Sequence, residues 1–159
     1  MKARAAALFL ALLLLAGCGA QEPENTYRFD GLAVTLTGDY SDLSQESYAQ
    51  NYAFLYGSTE LSVLGMRTGK QYLPNFTLRE YAGLMLKKNK LTCEIQDADA
   101  LYTADYVSAV DDQGTEYHYL TAFYETETDF WTVQIYCPQE TFEKNRPEME
   151  KILSHIRCN

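Results

Sequence analysis

The stretch Thr115–Cys137, TEYHYLTAFYETETDFWTVQIYC, decides the fold. Thr115–Glu125 and Phe130–Cys137 are rich in Tyr, Phe, Val and Thr, the residues that fit a pleated sheet. The polar tetrapeptide Thr126–Asp129 punctuates them and predicts an antiparallel turn. If Glu125 opposes Phe130, Leu120 faces Ile135 and Ala122 faces Val133. Side chains alternate across a strand. One face then carries Leu120, Ala122, Trp131, Val133 and Ile135, an apolar surface suited to lie under a helix. The other carries Tyr117, Tyr119, Thr121, Thr132, Gln134 and Tyr136, and Asp105 is placed with it. Leu101–Val110, closed by Asp111–Gly114, adds a third strand and completes a meander.

Upstream, Leu91, Cys93 and Ile95 alternate with polar residues and read as a further β segment. Phe29–Thr37 reads as a first strand. Ser47–Tyr56 and Glu60–Arg67, joined at Gly57-Ser58, read as a hairpin. Thr68–Phe76 is a loop. Leu78, Tyr81, Ala82 and Met85 then recur at helical spacing. Thr77 with Glu80 fits a capping box, and Lys87, Lys88 and Lys90 favour the negative end of the helix dipole. The spacing predicts a helix from Leu78 to Lys88. Phe142, Met149, Ile152, Leu153 and Ile156 define a second amphipathic helix. Because proline is tolerated in a first turn, that helix is expected to start at Pro147, with Asn145 near its cap and a turn over Gln139–Lys144. The order predicts an α+β domain, an antiparallel sheet of about six strands with two main helices packed on it.

The leader adds an address. Lys2 and Arg4 precede twelve uncharged residues, Ala5–Ala16. A membrane span needs roughly 20, so the run reads as a secretory signal. Leu15-Ala16-Gly17-Cys18 resembles the lipobox of bacterial lipoproteins, in which the cysteine is diacylated and the preceding bond cut. The resemblance implies a signal peptide over 1–17, a lipidated tether over 18–26 and a single globular domain over 27–159. It also implies an exported protein anchored to a bacterial membrane through Cys18. Each buried methylene of an acyl chain contributes about 0.8 kcal/mol to that anchoring.

Removing Lys2 and Arg4 takes the formal charge from −9 to −11. Such a domain is repelled by phosphate backbones, which argues against nucleic acid as a partner. Cys93, Cys137 and Cys158 remain after Cys18. An eleven-residue final helix spans about 16 Å and would separate Cys137 from Cys158. Cys93–Cys158 is therefore the expected pairing if a disulfide forms. Their spacing is no zinc pattern, and the sequence calls for neither a metal nor a cofactor.

The element order resembles the PsbP-like fold, shared by extrinsic photosystem proteins and many small bacterial lipoproteins. The resemblance rests on the GLAVTLTGDY opening, Gly31–Tyr40, on the helix after a hairpin, and on the closing FEKNRPEMEKILSHI helix, Phe142–Ile156. It spans Phe29–Ile156 and implies no single activity.

No nucleophile elbow, zinc-protease motif or phosphate loop occurs. His118 and His155 lack ligands at metal spacing. The paired carboxylates Asp97/Asp99, Asp111/Asp112 and Glu125/Glu127/Asp129 fall in turns, where they usually bond nearby backbone. The expectation is a non-enzymatic module binding an envelope protein or glycan through Tyr117, Tyr119, Thr121, Gln134, Tyr136 and Asp105. An envelope hydrolase using acidic residues is the alternative.

Overall fold

The computed structural model describes residues 24–98, 101–108 and 111–159. The fold is α+β, and the described residues form antiparallel strands in two sheets and two α-helices. Strands β1 (Glu24–Phe29), β2 (Leu32–Thr37) and β10 (Arg157–Cys158) form the smaller sheet in the order β1-β2-β10. The larger holds β3 (Ser41–Asp42), β4 (Phe54–Gly57), β5 (Ser62–Gly69), β6 (Gln96–Ala98), β7 (Leu101–Ser108), β8 (Tyr117–Glu125) and β9 (Asp129–Pro138). Its order is β3-β4-β5-β9-β8-β7-β6. Helix α1 is Leu78–Lys88 and α2 is Phe142–His155.

The meander has the expected register. Glu125 opposes Phe130, Leu120 opposes Ile135 and Ala122 opposes Val133. Thr126 closes the turn, its N–H donating to Asp129 O at 2.9 Å and its Oγ1 accepting from Asp129 N at 3.1 Å. Leu120, Ala122, Trp131, Val133 and Ile135 form the principal core with Leu32, Val34 and Leu36 of β2 and Met149, Ile152 and Leu153 of α2. The β1–β2 hairpin and α2 thus share one face of the large sheet. Helix α1 covers part of the other, seating Tyr81, Ala82 and Leu86 against Ala104, Phe123 and Phe130. Its capping box is formed: Glu80 N donates to Thr77 Oγ1 at 3.3 Å, and Thr77 N to Glu80 Oε2 at 2.8 Å. No described helix is long and apolar enough to cross a membrane.

Several boundaries differ from the sequence reading. The larger sheet has seven strands rather than about six. Phe29–Thr37 is not one strand, because Asp30-Gly31 makes a two-residue hairpin turn with Gly31 at φ 77°. A glycine there adopts a conformation that a Cβ disfavours. The partner strand starts at Glu24, so Glu24–Thr26 of the supposed tether is sheet. Ser47–Ala49 is a 3₁₀ turn, and the hairpin strand begins only at Phe54. Leu91–Ile95 is irregular, with pairing beginning at Gln96.

Helix α2 runs unbroken from Phe142 through Pro147. The proline removes one N–H, that facing the carbonyl four residues back. Pro147 and Glu143 are both exposed, so water can reach the freed carbonyl.

Candidate functional site: a tyrosine-lined groove

On the α1 side of the sheet, the helix covers the half nearest the β8–β9 turn. Tyr81 marks that coverage: its ring stacks on Phe130 at 4.9 Å, and its Oη lies 2.9 Å from Thr132 Oγ1. Beyond the helix's C-terminal end the segment around Ala49 and Tyr52 packs on Leu55 and Leu64, leaving a gap between it and the helix. A groove of about 240 Å³ lies there, floored by Tyr106, Tyr119 and Gln134. Tyr52 and Met66 bound it on the β4–β5 side, and Asn89, Leu91 and Ser108 on the other. Its lining includes no charged side chain.

Cross-strand pairing builds the floor. Tyr106 opposes Tyr119, and Tyr119 opposes Tyr136. The rings stack side by side, at 5.4 Å and 7° for the first pair and 5.0 Å and 23° for the second. Tyr117 meets Tyr136 edge-on at 5.8 Å. Beneath them Gln134 Nε2 donates to Tyr106 Oη, and Thr121 Oγ1 donates to the same oxygen at 3.2 Å. Burial pushes the phenols of Tyr106, Tyr119 and Tyr136 above the ordinary tyrosine value, and neighbouring phenols add to the effect at Tyr119. They are neutral donors and acceptors at any physiological pH. Because Tyr119 is flanked on both ring faces, the ladder offers a ligand ring edges and hydroxyls.

The predicted binding residues divide accordingly. Tyr119 and Gln134 line the groove. Thr121 is 1% exposed and supports Tyr106 from below. Tyr136 buttresses Tyr119, and Tyr117 lies one step further out, its Oη donating to Asp111 Oδ2 at 3.1 Å. Asp105 is a correction. It opposes Leu120 and therefore lies on the α2 face; Tyr106 takes the place it was given. The connection between β7 and β8 is long, so the register could not be read from the turn. Tyr52, Met66, Asn89 and Leu91 come from distant segments and carry no local signal.

Asp105 instead pairs with His118 Nε2, while His118 Nδ1 lies 2.7 Å from Gln139 Oε1. Arg146 Nη2 stands 3.5 Å from the second Asp105 oxygen. The imidazole stacks on Phe142, with centroids 3.3 Å apart. Cys137 opposes His118 across the strands and is buried. Both ring nitrogens are already engaged, so this cluster pins α2 to the sheet and leaves no basic nitrogen facing the thiol. The turn carboxylates are likewise tied locally. Asp111 Oδ1 accepts from the N–H groups of Gln113 and Thr115, each at 2.9 Å, and Glu125 pairs with Lys70 at 2.7 Å.

Among the described residues, Cys93, Cys137 and Cys158 are free thiols, and the expected Cys93–Cys158 bridge is not formed. Cys93 packs with the α1 cluster beside the β6 edge, whereas Cys158 sits on β10 opposite Leu32. The two lie against opposite faces of the large sheet. Cys18 falls outside the described residues.

No protein-family model and no curated protein matches the sequence. Solved structures do. The solution structure of cyanobacterial PsbP (CyanoP) from Synechocystis sp. PCC 6803 superposes with a TM-score of 0.62 over 90% of this chain and 96% of that one, at 13% identity. The fold is PsbP-like. A crystal structure from Bacteroides thetaiotaomicron has a TM-score of 0.55 over 87% of this chain, again at 13% identity. The chain spans 49% of that protein. At such identities the likeness fixes the PsbP-like fold and leaves function to the residues of the site.

Proposed function

We propose that the chain is an exported, lipid-anchored accessory domain that receives a polypeptide segment in the tyrosine-lined groove and catalyses no reaction. The observation that carries this reading is the groove itself. It is an uncharged concavity of hydroxyls, an amide and ring edges, left open where α1 ends. Peptide carbonyls accept from phenols, and tyrosine gives large contact area at low entropic cost. A sugar would instead use free ring faces, and the stacking leaves Tyr119, at the centre of the ladder, with none. Lys87, Lys88 and Lys90 stand exposed around Asn89, where α1 ends, with no ion pair among the described residues. They favour a segment carrying carboxylates.

The lipobox resemblance at Cys18 supports that location, and the PsbP-like fold is compatible with an accessory role. A hydrolase would need two facing carboxylates about 5–10 Å apart in a cleft. The local ties of Asp111 and Glu125 remove those turn carboxylates from that alternative.

A photo-crosslinking residue at Ser108, on the groove rim, tests the proposal in a bacterial host. Substitution at Leu84, on the outward face of α1, is the control. The expected result is one defined envelope-protein adduct from position 108. It should be absent from position 84 and lost with Tyr119→Ala or Cys18→Ala. No adduct, or a glycan adduct, would refute a polypeptide partner.

A further inference from the structure

We propose a second binding site, for a neutral saccharide or similar polyol, on the opposite side of the sheet. It is a cavity of about 400 Å³ between the loop after β2, the β4–β5 turn and the first half of α2. Asn145 points to it. On α2 the buried residues are Phe142, Asn145, Met149, Ile152 and Leu153, so an amide occupies a place on the apolar face where leucine would fit. Asn145 is 6% exposed, it lines the cavity, and its Nδ2 has no hydrogen-bond partner among the described residues. A buried donor left unmade costs stability. Capping cannot account for it, because Asn145 lies inside a continuous helix.

The surrounding groups define the missing partner. Asp39, Glu60 and Glu148 line the cavity with the hydroxyl-bearing Thr37, Tyr40 and Ser58. Lys144 pairs with Glu60 at 2.6 Å, and Lys151 with Glu148 at 3.6 Å. Two of the three carboxylates are therefore already neutralised, which weakens the case for a cation. An ammonium group also cannot accept from Asn145 Nδ2. An anion could, but it would meet the carboxylates. A hydroxyl accepts from the amide and donates to a carboxylate at once, so a ligand bearing several hydroxyls matches the whole set. The phenol of Tyr40 is pushed above its usual value by burial and adds a neutral donor and an apolar wall. Water has the same hydrogen-bonding valence, so the test must separate a site that admits a saccharide from one holding water alone.

The test uses the full-length chain in a sugar-free detergent, followed by ¹⁵N–¹H spectroscopy. The Asn145 side-chain amide pair is assigned by its disappearance in Asn145→Leu. The probes are the methyl glycosides of glucose, galactose and N-acetylglucosamine, with cellobiose; spermidine and glucuronate are the charged controls. The proposal expects at least one neutral probe to shift that pair saturably at millimolar concentration. Asn145→Leu and Glu148→Gln should each weaken its binding about tenfold, as expected for one lost buried hydrogen bond, with the folded spectrum kept. If no neutral probe shifts the pair, the proposal is overturned, and a raised melting temperature in Asn145→Leu would then show that the amide holds water only. Binding of spermidine or glucuronate in place of the neutral probes overturns it as well. Tyr119→Ala should leave this binding unchanged, which separates its failure from that of the tyrosine groove.

Discussion

Removing one hydroxyl from each side of the Tyr81–Thr132 contact tests how α1 is seated, and with it the edge of the groove. Tyr81 is fully buried, Thr132 is 2% exposed, and their oxygens lie 2.9 Å apart. Tyr81→Phe keeps the stack on Phe130 and the edge contact with Phe123, so only the hydroxyl is lost. It leaves Thr132 Oγ1 without that partner. An unmet buried hydroxyl costs about 1–3 kcal/mol. Thr132→Val leaves Tyr81 Oη with only Thr68 Oγ1, at the marginal distance of 3.5 Å, and should cost a similar amount. The double variant removes both polar groups together and should be less destabilised than the sum of the single changes by about 1–2 kcal/mol. For a domain of this size each kcal/mol corresponds to a melting shift of about 2–5 °C. Urea denaturation of the four proteins, with unchanged m-values, measures the cycle. Additive losses, with coupling below about 0.5 kcal/mol, would refute this seating of α1.

Three further predictions concern packing, ionisation and redox state. A Cβ at Gly65 would press on the ring of Phe54, which is held in a stack with Phe29 at 4.3 Å. Gly65→Ala should therefore cost about 1–3 kcal/mol by overpacking, and Phe54→Leu in the same chain should recover part of that loss in a melt. The buried phenols of Tyr106, Tyr119 and Tyr136 have pKa values raised in the fold, so their contribution to stability is complete below the unfolded value near 10. That contribution is lost as pH rises through the folded values. Absorbance titration should show a group of tyrosines ionising only well above pH 10, together with unfolding, and reversible ionisation of all tyrosines near 10 would contradict it. Cys93, Cys137 and Cys158 should all titrate as thiols in denaturant without reductant. In the native state the half-buried Cys93, whose thiol pKa burial raises, should react more slowly than the exposed Cys158, and a single titratable thiol in denaturant would restore the disulfide.

The features written locally in the sequence were legible. Thr77 and Glu80 announced the start of α1, and the Thr126–Asp129 turn set the register that put Trp131, Val133 and Ile135 on one face. The Asp30-Gly31 turn was equally local but was masked by the apolar run that follows it. Pro147 misled because a proline on an exposed helix face loses only one solvent-accessible bond. The groove was half legible. Strand parity gave Tyr119 and Gln134, whereas Tyr106 depended on a register across a long connection. Tyr52, Met66 and Leu91 reach the groove only through tertiary packing. Asn145 looked like a cap residue, and only the continuous helix exposes its misfit in the core.

Hydroxyl-radical footprinting of the tyrosines in intact envelopes, compared with the purified full-length protein, tests the central claim most directly. Tyr72, 75% exposed and remote from the groove, serves as the internal standard. If a polypeptide segment occupies the groove, Tyr52 and Tyr119 are protected in the envelope while Tyr72 is oxidised equally in both samples. Equal oxidation of Tyr52 and Tyr119 in the two samples would mean that nothing sits in the groove where the protein works, and would contradict the account.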